Sequence, residues 1–180
     1  QFGVHTKGDV NFAAVMERLR RIRAQISHHD SARRFRELGV DVFFGEGRFT
    51  GPCRVEVAGQ TLAFAKAVIT TGARAVTPDI PGLAEAGFLT NETVFTLTEL
   101  PPRLAVIGGG PIGCELAQAF ARLGSQVTLI HRHGRIMPHD DPDAAAIVDS
   151  VFRREGITIH LNAKTTEVSS TDDGKRVCFQ

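Results

Sequence analysis

The chain has 180 residues, 42% hydrophobic and 23% charged, a composition that excludes disorder as its main state. A formal net charge of +1 gives no global electrostatic reason to expect nucleic-acid binding. There is no apolar run of the ~18 residues that a membrane span requires and no signal-peptide pattern, so we expect neither a membrane segment nor export. Cys53, Cys114 and Cys178 are widely spaced, which favours a reducing, cytoplasmic location. We expect each of them to be buried as a small hydrophobic residue.

The chain begins with a helical pattern. Apolar residues from Phe12 to Ile26 recur every three or four positions, which predicts an amphipathic helix capped by Asn11, with a shorter helical turn up to Gly39. Residues 11–38 hold seven arginines against three acidic residues. A nucleic-acid arm is one interpretation. A solvated helix face is favoured, because no aromatic or glycine-rich motif is interleaved with the arginines.

Short extended runs follow the helices. They cover residues 40–44, 54–57, 61–64 and 67–70 and are separated by glycines, which predicts a small β-meander with a final buried strand. Residues 73–102 contain several prolines and little periodicity, which is typical of a connection between two modules. We therefore expect two domains, 1–100 and 101–180.

Strands and helices alternate regularly in the second domain. The predicted order is strand 104–107, helix 112–123, strand 127–130, helix 143–155 and strand 157–161. This order predicts an α/β fold of the Rossmann-like, doubly wound type, with a parallel sheet and right-handed crossovers. Gly124 and Gly156 stand where left-handed C-cap residues are expected. Residues 165–168 and 176–179 predict an antiparallel pair that turns at 172–174.

A glycine-rich motif lies between the first strand and the first helix of this domain. It matches the G-x-G-x-x-G pattern of dinucleotide-binding sites and consists of Gly108, Gly109, Gly110, Pro111, Ile112 and Gly113. Gly108 permits the tight turn, Gly110 lets the backbone approach a pyrophosphate, and Gly113 lets the helix pack closely on the strand. Pro111 suits the first helical turn, where its missing N–H is not needed. The motif predicts a pyrophosphate site at the helix N-terminus.

The end of the second strand indicates which dinucleotide binds. An NAD site places Asp or Glu about 20 residues past the first glycine, and this chain has no acid there. Arg132 and Arg135, with His131 or His133 as further donors, could instead pair with a 2′-phosphate. We therefore expect NADPH, with NADH less favoured. A metal site at His131, His133 and His139 is disfavoured because these histidines lack helical i, i+4 spacing.

Together these residues resemble the flavoprotein disulfide reductases, the family of dihydrolipoamide dehydrogenase, glutathione reductase and mercuric reductase. Residues 69–73 are similar to the segment that closes the family's FAD domain, and residues 80–82 to the stretch after it. Residues 45–49 resemble a turn that meets the FAD adenine. Residues 100–107 resemble the entry into the family's NAD(P) domain. The resemblance covers essentially the whole chain.

This resemblance implies two cofactors, FAD and NADPH, and hydride transfer from NADPH to the flavin and onward to a disulfide or Hg(II) acceptor. Domain 1–100 would be the latter part of an FAD-binding domain, and 101–180 an NAD(P)-binding domain. Glu115 matches a glutamate near the nicotinamide; as a first-turn carboxylate it would be favoured by the helix dipole. Partial FAD contacts would come from Glu46, Gly47, Thr71 and Gly72.

Several family features are absent from this sequence. It has no second glycine motif for the FAD pyrophosphate, no C-x-x-x-x-C dithiol and no C-terminal dimerisation segment. We expect an internal segment of a homodimeric parent enzyme, which agrees with a first residue other than Met and an end inside a strand pattern. The segment would hold no catalytic residue and be inactive alone. The alternative is a short nucleotide-binding module without redox turnover.

Overall fold

The computed structural model describes residues 9–180, and their contacts define two compact units. One unit contains Leu19–Arg74. The other contains Ala75–Gln180 together with the described residues up to Arg18. The connection predicted over 73–102 therefore belongs, from Ala75 onward, to the same unit as the glycine motif. The assignment of 1–100 and 101–180 to two cofactor domains stays a prediction.

Helix α1 spans Phe12–His29 and begins as predicted, because the Asn11 side chain accepts a hydrogen bond from the Ala14 amide at 3.0 Å. Its apolar stripe is only partly covered. Phe12 and Met16 are buried, whereas Ile26 is 52% exposed. The phenyl ring of Phe12 lies 6.0 Å from that of Phe120, centroid to centroid, so the first turn of α1 contributes to the core around Phe120.

The Leu19–Arg74 unit also contains a short helix and an antiparallel sheet. These elements are α2 (Ala32–Glu37), β1 (Arg48–Gly51), β2 (Arg54–Val57) and β3 (Gln60–Ala63), with β2 in the middle. Phe49 of β1 and Phe64, the residue after β3, form an edge-to-face ring pair 5.9 Å apart, which links the two edges of the sheet. The central meander is therefore confirmed, although the sequence pattern predicts no strand at β1.

Two of the predicted strands in this unit are wrong. Residues 40–44 and 67–70 have no strand pairing in the structure. The second segment was expected to be buried, but Val68 and Ile69 are 87% and 69% exposed. A strand with apolar side chains on both faces is stable only when it is covered by other strands or helices. None of the described residues 9–180 forms a strand pair with residues 67–70.

The other unit contains the predicted parallel sheet, and its elements follow the expected order. They are β4 (Arg103–Ile107), α4 (Pro111–Leu123), β5 (Gln126–Ile130), α5 (Pro142–Arg154) and β6 (Thr158–His160). β5 is the middle strand and pairs in parallel with β4 and with β6. Gly124 and Gly156 have φ of 112° and 83° after the two helices, as predicted. The parallel α/β fold is confirmed.

The core lies between this sheet and its helices. Val127, Leu129 and Ile130 of β5 are at most 2% exposed. Further buried side chains come from both helices: Cys114, Ala117, Phe120, Ala145 and Phe152. β4 is less covered, because its outer edge has no strand partner among residues 9–180. Burial therefore concentrates on the strand whose carboxyl end carries His131.

Residues 75–102 and an antiparallel hairpin cover one side of this unit. The hairpin is β7 (Thr165–Thr171) and β8 (Gly174–Phe179), close to its predicted bounds. Helix α3 (Leu83–Ala86) and a 3₁₀ turn at Val94–Thr96 occupy the segment expected to be a plain connection. Leu83 and Val94 are buried, and the Val168 amide donates to the Pro81 carbonyl at 2.9 Å. This segment is tied to the hairpin by packing and hydrogen bonds.

The prediction that all three cysteines are buried holds only for Cys114. Cys53 and Cys178 are exposed. Cys53 lies in the turn between β1 and β2, and Cys178 lies on the two-stranded hairpin, which has an open face. Small sheets leave such positions in contact with solvent, because they have no second layer to cover them.

Replacing Asp141 with alanine should lower the free energy of unfolding by about 1 kcal/mol. The Asp141 carboxylate caps α5 by accepting from the amides of Asp143 and Ala144 at 2.9 and 3.2 Å. Urea unfolding of Asp141→Ala against Asp143→Asn is the matched comparison, since the Asp143 carboxylate makes no cap bond and its loss weakens only the dipole interaction. Equal effects of the two variants would contradict the capping role.

Candidate functional site

The glycine motif forms the turn between β4 and α4. Gly108 has φ of +113°, a conformation that favours glycine, and its amide donates to the Ile130 carbonyl at 2.9 Å. Gly110 is the extended N-cap residue of α4, and Pro111 occupies the first helical position. The chain therefore turns from strand to helix as the motif predicts, at the carboxyl edge of the sheet.

Gly110 and Gly113 show opposite steric environments. A Cβ on Gly113 would overlap the Gly108 carbonyl oxygen and lie 3.6 Å from Cγ1 of Val106. Glycine at this position thus permits the close approach of α4 to β4. A Cβ on Gly110 would meet no atom within 4 Å. The space in front of Gly110 is open, as a bound pyrophosphate at a helix N-terminus requires.

The open side of this turn belongs to a long cleft in the Ala75–Gln180 unit. Its volume is about 1140 Å³, and it runs from the glycine motif along β4 to Lys175 and Val177 of the hairpin. The motif contributes Gly108, Gly110, Pro111, Ile112 and Gly113 to the lining. The first-turn amides of α4 and the positive end of its dipole therefore face a space large enough for an extended ligand.

Gly109 faces the opposite way, into the protein. Its amide donates to Nδ1 of His131 at 3.0 Å, and its carbonyl accepts from the Met137 amide at 2.6 Å. The Cys114 thiol also donates to this carbonyl, at 3.6 Å. Gly109 is thus fixed by three partners from α4 and from the loop after β5. The structure places His131 inside the protein, against the motif and away from solvent.

Burial sets the protonation states next to the motif. Desolvation, followed by the electrostatic effects of the neighbouring His133 and Arg132, lowers the pKa of His131 below its ordinary value of 6.5. Desolvation and the charges of Asp140 and Glu115 raise the pKa of the Cys114 thiol to about 11. At neutral pH the imidazole is uncharged and the thiol is protonated, so Cys114 has no thiolate for nucleophilic chemistry.

The two arginines after β5 have different surroundings. Arg132 is exposed, and its Nε donates to Nε2 of His133 at 3.1 Å. Arg135 is half-buried, and its guanidinium donates to the carbonyls of Met137, Pro138 and Asp140 at 2.7 to 3.2 Å. The guanidinium of Arg135 shapes the loop, whereas that of Arg132 is accessible to a ligand.

The remaining predicted site residues are all exposed. Glu115 is the fifth residue of α4, so its expected position in the first turn is wrong: α4 starts at Pro111 and its first turn contains no acid. Glu46 and Gly47 lie in the loop before β1, and Thr71 and Gly72 lie in the extended segment after β3. Around these four residues the structure shows no steric cradle like the one at Gly110 and Gly113.

Neither a metal cluster nor a membrane span occurs in the part of the chain that the structure describes. Within residues 9–180, no group of three or more histidine, cysteine or acidic side chains is arranged to hold a metal ion. No helix in this range is long and apolar enough to cross a bilayer.

The hydrogen bond from Gly109 to His131 does not follow from the sequence pattern. The position of His131 carries the signal, because a histidine replaces the acid expected at the end of the second strand. A side chain at that strand end points either to solvent, where it can meet a ribose, or back toward the glycine motif. The residue type alone does not distinguish these orientations.

Known proteins share this sequence and geometry. The family model described as pyridine nucleotide-disulphide oxidoreductase matches residues 5–179. A mercuric reductase of Bacillus cereus is 32% identical over 97% of this chain, which spans 28% of that protein. A dihydrolipoyl dehydrogenase of Acholeplasma laidlawii is 33% identical over 97% of this chain and 52% of its own length. The flavoprotein disulfide reductase RclA of Escherichia coli superposes with a TM-score of 0.78 at 28% identity, over 94% of this chain and 39% of that one.

The fold and the glycine turn define the Ala75–Gln180 unit as a Rossmann-like α/β structure. The chain belongs to the pyridine nucleotide-disulfide oxidoreductase family, as the sequence resemblance indicated. It spans between about a quarter and about half of the length of the curated relatives named above.

Proposed function

We propose that this chain supplies the NADPH site of an FAD-dependent oxidoreductase. The observation that carries the proposal is the contrast at the glycine motif: Gly113 permits close helix packing while Gly110 leaves room for a pyrophosphate. Family membership supports FAD and NAD(P)H as the cofactors. In the enzyme of which this chain would form a part, NADPH gives a hydride to the flavin, and the electrons pass on to a disulfide or Hg(II) acceptor.

Most of the predicted site residues have a proposed task; His131, which is buried against Gly109, is not assigned the phosphate contact predicted for it. The first-turn amides of α4 bind the pyrophosphate, and Gly108, Gly109 and Gly113 keep the turn in shape for it. Arg132 pairs with the 2′-phosphate, while Arg135 holds the loop that carries Arg132. Glu115 orients the nicotinamide amide. Glu46, Gly47, Thr71 and Gly72 contribute backbone and side-chain contacts to FAD, a role supported by the family and by their exposure.

The preference for NADPH over NADH rests on the residues that follow β5. No acid stands there to repel a 2′-phosphate, and the Arg132 guanidinium is exposed. A solved relative supports this interpretation. An engineered water-forming NADPH oxidase bound to NADPH, with a TM-score of 0.56 and 26% identity over 71% of this chain, carries an aspartate-to-alanine and a neighbouring alanine-to-arginine substitution. This chain likewise has no acid and has an arginine directly after β5, at His131 and Arg132.

The setting of this site is also part of the proposal. The parent enzyme is proposed to be a cytoplasmic homodimer that dimerises outside these residues, with 1–100 in its FAD-binding domain and 101–180 in its NAD(P)-binding domain. The described residues contain three free cysteines. Cys114 is buried, Cys53 lies in the turn between β1 and β2, and Cys178 lies on β8; none of them is proposed to serve as a redox dithiol. The isolated chain is therefore expected to bind NADPH without turning it over.

Equilibrium titration with NADPH and NADH, followed by nicotinamide fluorescence, tests the proposal. We expect saturable binding with NADPH favoured at least about tenfold, the effect of about one charge-assisted hydrogen bond. Binding of neither nucleotide would contradict the proposed site. Equal affinity would retain the site but contradict the role of Arg132.

A non-catalytic nucleotide-binding module is the second candidate. The lack of a dithiol within the described residues favours it. The visible absorption spectrum and mass of the native protein distinguish the two functions. A flavin spectrum on a longer chain supports the oxidoreductase, and a colourless native chain of this length supports the module.

A further inference from the structure

His131 holds the glycine motif from inside the protein. Its side chain is 7% exposed, and its Nδ1 accepts the Gly109 N–H at 3.0 Å. The accepting nitrogen carries no proton, so the neutral ring has its proton on Nε2. Ring atoms Cγ and Cδ2 lie 2.9 and 3.1 Å from the point that a Cβ on Gly109 would occupy. The imidazole and the motif are therefore in direct contact.

The backbone of His131 is fixed as firmly as its side chain. Its amide donates to the His160 carbonyl on β6 at 2.8 Å, and its carbonyl accepts from the Ala163 amide at 2.9 Å. The fixed backbone limits how far the ring can move with the motif if the hydrogen bond to Gly109 breaks. This bond also keeps one N–H of the motif out of the cleft, so the open Gly110 and the first turn of α4 face a ligand.

A second proton on the His131 ring is incompatible with the hydrogen bond from the Gly109 amide. Protonation of Nδ1 would place two N–H donors opposite each other across 3.0 Å. Nε2 is itself buried and has no hydrogen-bond partner among the described residues.

The neighbours of the ring also disfavour a positive charge on it. In the loop that contains His131, the neighbours are Arg132 and His133. The centroids of the His131 and His133 rings are 5.1 Å apart. On β6, the His160 carbonyl accepts from the His131 backbone amide, and the His160 ring packs on Phe179. On the α4 side the ring contacts Gly109, whose carbonyl accepts from the protonated Cys114 thiol; the carboxylates of Asp140 and Glu115 act electrostatically on that thiol. No carboxylate among the described residues hydrogen-bonds to the ring.

We propose that neutral His131 is the positioning residue of the dinucleotide site, and that its protonation at acidic pH releases Gly109 and weakens NADPH binding. This inference rests on the proposed function. It adds a pH dependence to the site and assigns it to one side chain that makes no contact with the ligand.

The sign of the dependence follows from the buried neutral form. Burial and the nearby positive groups keep the pKa of His131 below 6.5. Affinity for NADPH is therefore constant at and above neutral pH, and it falls as the pH drops through that lowered pKa. If the bound state excludes the proton, the dissociation constant rises by up to about tenfold per pH unit below it.

The test compares NADPH binding by the wild type and by His131→Asn from about pH 8 to about pH 5, within the range where the circular dichroism is unchanged. The asparagine oxygen can accept the Gly109 N–H but does not titrate. We expect a steeper loss of affinity for the wild type at acidic pH. Titration of the ligand phosphate affects both proteins equally and cancels in the comparison. His139→Gln, which removes an exposed histidine of the same loop, is the matched control and should keep the wild-type profile.

Two results separate this inference from the proposed function. No NADPH binding by the wild type at about pH 8 would overturn the dinucleotide site itself. Binding with parallel pH profiles for wild type and His131→Asn would overturn the role of His131 alone. A readout without ligand is the Gly109 amide proton resonance, which should follow the titration of His131 in the wild type and be flat in His131→Asn. A Gly109 resonance that ignores the titration would also overturn the inference.

Discussion

Replacing Gly113 with alanine should lower the free energy of unfolding by about 3 kcal/mol and abolish NADPH binding, because the added Cβ overlaps backbone. The atom it meets is the Gly108 carbonyl oxygen, which cannot rotate away as a side chain would. The N-terminus of α4 must then separate from β4, and the amides that face the pyrophosphate move with it. Chemical denaturation and NADPH titration of the same variant measure both effects.

Gly110→Ala is the matched control for this prediction. Gly110 has φ of −78°, which alanine adopts freely, and no atom lies within 4 Å of the position that the added methyl group would take. We expect the free energy of unfolding to change by less than about 0.5 kcal/mol. NADPH binding should nevertheless weaken by at least about tenfold, because the methyl group occupies the space proposed for the pyrophosphate. A stable Gly110→Ala chain with unchanged NADPH affinity would contradict the proposed site.

Replacing Arg132 with glutamate should raise the dissociation constant for NADPH by about 100-fold and change that for NADH by less than about threefold. The exposed guanidinium is the proposed partner of the 2′-phosphate, and a carboxylate there would repel it. Arg132→Lys keeps the charge but loses the paired donors, so its affinity for NADPH should fall between those of the wild type and Arg132→Glu. Parallel titrations with both nucleotides check this prediction.

Arg135→Gln distinguishes a phosphate contact from a loop contact. The Arg135 guanidinium holds the carbonyls of Met137, Pro138 and Asp140. Its loss should weaken NADPH and NADH binding by similar factors, because it disturbs the loop that both nucleotides approach. A selective loss of NADPH binding in Arg135→Gln, with Arg132→Glu unaffected, would reverse the roles given to the two arginines.

The parallel sheet could be predicted from the sequence because its signals are local. The glycine motif, the apolar strand before it and the caps at Gly124 and Gly156 each specify a backbone conformation within a few residues. Pro111 at the first position of α4 follows from the same local rules. These features agree with one another, so the predicted order of β4, α4, β5, α5 and β6 is correct throughout.

The wrong predictions fall where structure depends on distant partners. Residues 67–70 have the apolar character of a buried strand, but Val68 and Ile69 are exposed because no described neighbour pairs with them. The connection predicted up to 102 contains α3, whose packing needs the hairpin more than 80 residues later: the Lys175 ammonium donates to the Gly87 carbonyl, 88 positions away. Periodicity within a short window contains no information about such contacts.

The candidate site could be predicted only in part for the same reason. The motif glycines are specified by backbone geometry and can be found by pattern. The different tasks of His131, Arg132 and Arg135 depend on how one loop folds back on Gly109 and on its own carbonyls. The sequence alone does not indicate that His131 is buried, that Arg135 stabilises the loop and that Arg132 is exposed to a ligand.

Backbone amide NMR of the labelled chain during an NADPH titration tests the proposed dinucleotide site most directly. We expect saturable shifts of the backbone amides of Gly110, Ile112, Gly113 and Arg132, with the Leu19–Arg74 unit little changed. Shifts confined to the Leu19–Arg74 unit, or no saturable shift in the glycine motif, would contradict the proposed site.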